Sequence, residues 1–316
     1  MTRKAQPSAE QTGATADGNA SPTASATGMK TASVTRLSDH QPPSSLREQK
    51  ALVSTVAHRE LRTVLRTRAY LLLVVAVTAV LVGTTWIGGG MQAGYVPAIV
   101  DLLTPLELLV PIVAIAFGYR AITDDKRRGE LDIVHTYPLS SWHIVAGIYL
   151  GRAVGVTAAI VVPLGVVATG VVVTEPDVAV VYATHAGADS PVLFVRFLVL
   201  TVGFALTMLA VALAVSAIAS AARTAIALAV LVLVVLLLGA DLALIYGFST
   251  GIIGDRSLIY SLALSPLSAY RGLVLETAVI VASGVGPRTA APLASLLGLG
   301  LWTVVSLAVA ILGVRR

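Results

Sequence analysis

The sequence predicts an all-α integral membrane protein with six transmembrane helices. Three observations support this prediction: 56% of the 316 residues are hydrophobic, only 12% are charged, and the apolar residues fall in long runs. Soluble domains carry about 25% charged residues, so the composition separates this chain from them. The mean hydropathy of +0.85 agrees with this. Because the apolar runs take up most of the length after residue 69, we expect no sizeable soluble core.

Six apolar runs are long enough to cross about 30 Å of hydrocarbon, which takes roughly 20 residues. They cover residues 70–88, 98–119, 145–173, 192–219, 224–246 and 293–314. Pro105, Pro111 and Pro163 fall inside these runs. In a bilayer, neighbouring helices can satisfy the carbonyl groups that a proline leaves free. The prolines therefore predict kinked spans and not broken ones.

A seventh apolar stretch runs from Gly272 to Ala282. It is short, it contains Glu276, and Arg271 precedes it. A seventh crossing would also place Arg315 and Arg316 outside the cell, against the rule that positive charge stays inside. We therefore predict a helix at the outer surface, lying at the interface or partly re-entrant, and keep a seventh span as the alternative.

The distribution of Lys and Arg predicts the orientation, because short cytoplasmic segments are enriched in these residues. With the N-terminus inside, the cytoplasmic flanks hold Lys50, Arg59, Arg62, Arg66, Arg68, Arg120, Lys126, Arg127, Arg128, Arg223, Arg315 and Arg316. The outer segments hold Arg256, Arg271 and Arg288. This asymmetry predicts that both termini are cytoplasmic. The net charge of +5 then indicates attraction to anionic membrane lipid, and we expect no nucleic-acid partner.

The chain divides into three parts. Residues 1–45 are rich in Ala, Ser, Thr, Gly and Pro without an apolar period, and we predict that they are disordered. Residues 46–68 have apolar residues at helical spacing and basic residues, including Arg59 and Arg62, on the opposite face. They predict a cytoplasmic amphipathic interface helix, with a simple positive anchor for the first span as the alternative. Residues 69–316 form the six-span domain, with an outer loop at 247–292.

The cytoplasmic loop at 120–143 is longer and more charged than a hairpin between two spans requires. Asp124 or Asp125 can cap a short helix, and Pro138 ends it. A compact charged helix between two spans indicates a docking surface for a partner. A merely solvated loop is the alternative.

At this loop the sequence resembles the permease subunits of ABC transporters of the ABC-2 type. The residues that match the family's turns and its re-entry into the membrane are Asp125, Gly129, Leu131, Asp132, Pro138, Leu139, Ser140, Gly147 and Gly151. Glu130, Ser141 and Ile148 depart from the usual Thr, Arg and Lys, which puts the fine contacts of the loop in doubt. Segments 59–62, 117–122, 240–244 and 265–271 add to the likeness, the last three resembling the branch that contains the nitrous-oxide-reductase maturation permease.

The resemblance implies a permease subunit that works with a separate ABC ATPase and a second copy of itself. The loop would then be the coupling helix seated in the ATPase, braced from the side by Arg59, Glu60 and Arg62. The coupling residues would be Asp124, Asp125, Lys126, Arg127, Arg128, Gly129, Glu130, Asp132 and Pro138. The chain has no Gly-x-x-x-x-Gly-Lys-[Ser/Thr] loop, so ATP and Mg²⁺ are expected on the ATPase and no cofactor on this chain. The maturation branch adds an extracytoplasmic accessory protein as an expected partner.

Four ionisable residues fall within the predicted spans: Asp101, Glu107, Arg196 and Asp241. Each costs about 2.5–3.5 kcal/mol at the middle of a span on insertion scales and needs an explanation. We hypothesise that Glu107 or Asp101 pairs with Arg196 and fastens the outer ends of the spans. The alternative is that these residues line a polar vestibule for substrate.

Two other classes of function are weighed against the permease. An intramembrane enzyme needs a Ser/His pair, facing carboxylates or a His/Asp metal set within the spans. All five histidines fall in the tail, flanks or loops, and the chain has no cysteine. We therefore expect no catalytic or metal site. A small secondary transporter or channel stays an alternative, although paired Gly- or Pro-interrupted segments are not evident in the two halves.

Overall fold

The computed structural model describes residues 68–123, 141–174, 189–251, 260–283 and 290–315. The helices, in chain order, are α1 (Arg68–Gly88), α2 (Gly90–Ala93), α3 (Tyr95–Gly118), α4 (Ser141–Val173), α5 (Pro191–Ile218), α6 (Ala222–Ser249), α7 (Pro266–Val274), α8 (Ile280–Ser283) and α9 (Pro292–Val314). A π-helical stretch, Leu275–Val279, joins α7 to α8, and the whole is called the 266–283 segment. No strand occurs in these ranges.

Six of the described helices are long and apolar enough to cross a membrane: α1, α3, α4, α5, α6 and α9. They confirm the six predicted transmembrane helices, and the 266–283 segment is not among them. The ends differ from prediction by a few residues: α3 begins at Tyr95 and not at 98, and α4 begins at Ser141 and not at 145. The extra residues are 95–97 in α3 and 141–144 in α4, and they include Tyr95, Ser141 and His143. The side of the membrane on which each terminus lies stays a prediction.

The three prolines inside helices leave α3 and α4 continuous, as the sequence predicts. A further irregularity was not predicted. Within α6, residues Val235–Gly239 form a π-helical stretch in an uninterrupted apolar run. Such stretches insert an extra residue into a turn and are rare outside functional positions, but hydropathy carries no signal for them.

The helix α5 forms the centre of the bundle. It packs against α3, α4 and α9, and also against α7. In its most apolar stretch 67% of the residues are buried, against 12% for α6 and 17% for α1. The helices α1 and α6 therefore present most of their surface outward, where lipid or another protein can cover it.

Two hydrophobic clusters form the core of the bundle. The smaller one contains residues that flank the segment 124–140, together with the ends of α5 and α9. Its members are Ala121, Ile122, Ile144, Val145, Ile148, Leu213, Ala217, Ala310 and Val314. We call this end of the bundle the loop end and the other the opposite end. The larger cluster fills the rest of the bundle and reaches the opposite end.

The 266–283 segment enters the bundle at the opposite end. It packs against α3, α5 and α9. Tyr270 is fully buried there, with its ring stacked on Phe204 at 4.6 Å between centroids. Ser265 caps the segment by accepting a hydrogen bond from the Ser268 amide, and Pro266 occupies the first turn. Because its side chains enter the core, this segment is an integral part of the fold.

Candidate functional site

The predicted site residues fall in different parts of the chain. The coupling residues at 124–138 and the helix residues Arg59, Glu60 and Arg62 lie outside the described residues. Asp241 lies on α6, but its side chain is also outside them. These assignments stay predictions. What the structure gives is the attachment of the loop to the bundle and the arrangement of the other charged residues.

The entry to the loop is clamped to the end of α5. The amides of Ile122 and Thr123 donate to Oγ of Ser216 at 3.0 and 3.1 Å. Oγ1 of Thr123 donates to the Ser216 carbonyl at 2.7 Å and lies 3.1 Å from the Ser216 hydroxyl. These contacts use both acceptor sites and the one donor of the serine hydroxyl. We call Ile122, Thr123 and Ser216 the Ser216 clamp.

The clamp is shielded from solvent. Ile122 is 1% exposed, and Thr123 and Ser216 are fully buried. A buried donor or acceptor that loses its partner costs about 1–3 kcal/mol, because no water replaces the lost bond. The loop entry therefore cannot separate from α5 without a substantial free-energy cost. Sequence analysis missed this contact, since no pattern links Thr123 with a serine 93 residues away.

Two glycines bring neighbouring helices close to α5 on either side of the clamp. A Cβ on Gly118 of α3 would lie 2.4 Å from Cβ of Ala212. A Cβ on Gly313 of α9 would lie 2.8 Å from Cβ of Ala217. Only glycine allows these approaches, so α3, α5 and α9 are in direct backbone-level contact at the loop end.

Arg152 forms a hydrogen bond with a carbonyl group at the end of α3. Its Nη1 donates to the carbonyl of Phe117 in the last turn of that helix. The last carbonyls of a helix have no partner within it, and a basic side chain is a common solution. Arg152 on α4 therefore ties α4 to the end of α3, at the base of the loop.

At the opposite end, Glu107 forms an ion pair with Arg271. Nε of Arg271 donates to Oε1 of Glu107 at 2.6 Å, and Nη2 donates to Oε2. The side chain of Glu107 is 7% exposed and that of Arg271 is 51% exposed. The two-point geometry of guanidinium and carboxylate makes this the strongest class of ion pair. It fastens α7 to α3.

This pairing differs from the hypothesis drawn from the sequence, in which Arg196 pairs with Glu107 or Asp101. Nη1 of Arg196 instead donates to the carbonyl of Thr277 at 2.5 Å. Sequence reasoning placed Arg271 in the outer loop and looked for partners only within the spans. The fold returns that part of the chain to the bundle, and Arg271 reaches Glu107 there. Both basic residues fasten the 266–283 segment to the spans.

Asp101 and Asp189 hold backbone turns. Oδ2 of Asp101 accepts from the Gly90 amide at 2.9 Å. The carboxylate of Asp189 accepts from the amides of Tyr95 and Val96 at 2.9 and 2.8 Å, at the start of α3. Carboxylates stabilise helix N-termini, where amides are unpaired and the dipole is positive. Asp189 was missed because it caps a helix remote in sequence.

Tyr270 ties the 266–283 segment to α5. Its hydroxyl lies 2.9 Å from Oγ1 of Thr201, which also donates to the Phe197 carbonyl at 2.8 Å. Burial raises the pKa of the Tyr270 phenol, so the group stays neutral at physiological pH. The contact is thus a neutral hydrogen bond combined with the ring stacking on Phe204.

Recesses lie on the surface of the described part of the bundle. One, of 330 Å³, lies at the opposite end between the α1–α3 turn and the 266–283 segment, with Asp101 as its ionisable lining residue; the others include Gly88, Gly90, Val100, Val279 and Ala282. The second, of 360 Å³, separates α3 from α6 and is lined by apolar residues and Tyr119. Within the described ranges no three His, Cys, Asp or Glu side chains form a group able to hold a metal.

Comparison with known proteins places this arrangement in a family. A family model described as ABC-2 family transporter protein matches residues 54–315, which is more than half of the chain. The chain belongs to the ABC-2 transporter family. The family resemblance drawn from the loop residues is therefore confirmed, and the chain is a multi-pass protein of the cell membrane.

Two relatives of this ABC-2 chain carry the same name. A protein of Pseudomonas aeruginosa, named probable ABC transporter permease protein NosY, is 31% identical over 271 residues, covering 82% of this chain and 96% of the relative. A protein of Stutzerimonas stutzeri with the same name is 29% identical over 124 residues, covering 38% of this chain and 45% of that relative. The similarity to the first supports an ABC transporter membrane subunit and is consistent with a NosY-like branch.

Proposed function

We propose that the chain is the permease subunit that converts ATP hydrolysis on a separate ABC ATPase into helix movement and substrate translocation. The observation that carries the proposal is the anchoring of both flanks of the segment 124–140 in one buried cluster. Ala121 and Ile122 on one flank, and Ile144, Val145 and Ile148 on the other, meet the ends of α5 and α9 there. A partner that pushes on this segment therefore pushes on several spans at once.

The nucleotide chemistry belongs to the partner in this proposal. Membership of the family implies association with an ABC ATPase, and this chain has no phosphate-binding loop of its own. ATP and Mg²⁺ are then bound and turned over by the ATPase. The permease supplies the docking surface, to which Lys126, Arg127 and Arg128 contribute positive charge, and it remains non-catalytic.

Two copies of the chain are proposed for the working transporter, with the loop end toward the cytoplasm. The outward faces of α1 and α6 are the least buried of the spans, which leaves room for a second copy as well as for lipid. Closure of the ATPase pair on ATP would push both loops and move the spans between inward and outward states. In the NosY-like branch an extracytoplasmic accessory protein would complete the assembly.

The test is charge reversal within the segment 124–140. The full-length tagged chain is purified in lipid nanodiscs together with the ABC ATPase that accompanies it, and ATP hydrolysis is measured. Replacing Lys126, Arg127 and Arg128 by Glu should reduce ATPase retention or permease-dependent hydrolysis at least about tenfold, because like charges across an interface cost several kcal/mol. The amount of permease in the membrane should not change.

A matched control carries the same change in charge elsewhere. Replacing Arg3, Lys4 and Lys30 by Glu in the N-terminal tail should leave hydrolysis at the wild-type level. Wild-type retention of the ATPase and unchanged hydrolysis in the loop variant would contradict the proposal. So would ATP hydrolysis by the purified permease alone.

A further inference from the structure

We infer that Ser216 is the residue through which α5 takes up movement of the 124–140 segment, and that α5 carries this movement to the 266–283 segment. The inference rests on the proposed function, because it names the path by which a push at the loop end reaches the opposite end. It makes Ser216 a positioning residue, which acts through α5 and touches neither nucleotide nor substrate.

The first step of the path is the attachment of the loop entry to α5. The chain leaves α3 at Gly118, and the Ala121 amide still bonds to the Gly118 carbonyl, whereas the amides of Ile122 and Thr123 bond to Ser216. All three residues are at most 1% exposed. Since water cannot replace these bonds, a displacement of Thr123 moves the end of α5 with it.

The second step is the stiffness of α5. The helix runs from Pro191 to Ile218 without an interior proline or π-helical stretch. By contrast, α3 and α4 contain interior prolines, and α6 contains the π-helical stretch Val235–Gly239. Ser216 and Thr201 are separated by about 22 Å at the rise of an α-helix. A continuous helix in a close-packed bundle transmits a displacement over this distance with little internal deformation.

The third step is the attachment of α5 to the 266–283 segment. Thr201 bonds to the Tyr270 hydroxyl at 2.9 Å, and Arg196 donates to the Thr277 carbonyl at 2.5 Å. Tyr270 lies in α7 and Thr277 lies in the π-helical stretch, so both residues belong to the segment. The same helix is thus bonded to the loop entry at one end and to the 266–283 segment at the other.

The experiment follows amide hydrogen exchange in the complete transporter. The full-length chain with its ABC ATPase is placed in lipid nanodiscs, and exchange in residues 266–283 is compared without nucleotide and with ATP plus vanadate. In the wild type, trapping should change the exchange of this segment. In Ser216→Ala, the ATPase should stay bound and hydrolyse ATP, while the nucleotide-dependent change falls at least about fivefold, the lower bound of typical coupling between sites.

Two further variants make the test specific. Ser295→Ala removes an equally buried hydroxyl on α9 that makes no hydrogen bond in the described part of the chain, so it should keep the wild-type response. Thr123→Val removes one hydroxyl but leaves both amide bonds to Ser216, so the response should fall about twofold. If Ser216→Ala does not assemble with the ATPase, the response of Thr123→Val decides whether the inference holds.

The outcomes separate the inference from the proposed function. A wild-type response in Ser216→Ala, or in Thr123→Val when the former does not assemble, would overturn the inference while leaving the permease function standing. An absence of nucleotide-dependent change in the wild type, despite ATP hydrolysis by the complex, would also overturn it. A wild-type chain that neither retains an ATPase nor affects hydrolysis would overturn the proposed function and the inference with it.

Discussion

At the scale of single residues, the ion pair of Glu107 and Arg271 joins a buried carboxylate to a half-exposed guanidinium. Glu107 lies inside a span and is nearly fully buried, whereas Arg271 is half exposed. A carboxylate left alone in such a place loses its hydration without compensation. A half-exposed guanidinium can instead reach toward the interface along its flexible side chain. Glu107 therefore depends on the ion pair more than Arg271 does.

This inequality gives a prediction. Arg271→Gln should lower the melting temperature by about 5 °C, because it leaves the Glu107 carboxylate buried and unpaired at a cost of about 2 kcal/mol, discounted for the exposure of Arg271. Glu107→Gln should lower it by about 2 °C only. The double variant should lie nearer to Glu107→Gln than to the sum of the two. Thermal unfolding of the full-length protein in detergent, followed by circular dichroism, measures these values.

Equal losses in the two single variants, or a larger loss in Glu107→Gln, would contradict this account of the pair. Arg196→Gln is the matched control, since it removes a basic residue that bonds to a backbone carbonyl and not to a carboxylate. Introduced into each of the other two variants, it should leave the difference between their melting temperatures unchanged.

At the scale of helices, the close contact of α3 with α5 at the loop end fixes the geometry of the loop entry. Gly118 and Ala212 meet where any larger side chain would collide. Interiors of proteins are packed densely enough that an inserted methyl group forces backbone shifts and costs about 1–3 kcal/mol. The contact should thus be sensitive even to a single added methyl group.

Gly118→Ala should therefore lower the melting temperature by about 2–8 °C. Gly165→Ala on α4 is the matched control, because nothing lies within 4 Å of its added methyl group. It should leave stability unchanged or raise it by up to about 1 kcal/mol, since alanine is the better helix former. The compensating pair Gly118→Ala with Ala212→Gly should recover part of the loss. A Gly118→Ala variant as stable as Gly165→Ala would contradict the contact.

The helices also show how much of the fold can be predicted from the sequence. Length and hydropathy predicted six spanning helices because a bilayer admits only apolar runs of sufficient length. For residues 272–282 the sequence predicted a helix at the interface or partly re-entrant but could not decide between them, because hydropathy cannot tell an interfacial helix from one whose Tyr270 is buried among spans. The loop residues carried the family resemblance, since that surface is recognisable as a local pattern.

Most contacts of the site could not be predicted from the sequence. Arg271 was set aside with the outer loop, so Arg196 was matched with Glu107 or Asp101, and only the fold brings Arg271 near Glu107. The Ser216 clamp joins residues far apart in the chain through a serine and a threonine, which are common residue types in spans. Asp101 was correctly singled out as needing a partner, but that partner is a backbone amide, which no residue pattern reveals.

At the scale of the whole molecule, the two ends of the bundle differ in what they hold. The loop end holds a buried cluster joined to the segment 124–140, and basic residues concentrate in the flanks assigned to this side. The opposite end holds the 266–283 segment, the Glu107–Arg271 pair and a recess of 330 Å³. Such a polarity suits a protein that receives force at one face and changes shape at the other.

The most direct test is to ask which end the ABC ATPase touches. A photo-reactive amino acid is placed at Leu131, within the segment 124–140, or at Val281, which is exposed at the opposite end. The full-length chain is irradiated in membranes together with its ATPase. The account predicts an ATPase adduct from position 131, lost on charge reversal of Lys126, Arg127 and Arg128, and none from position 281. An adduct from position 281 with none from position 131 would contradict it.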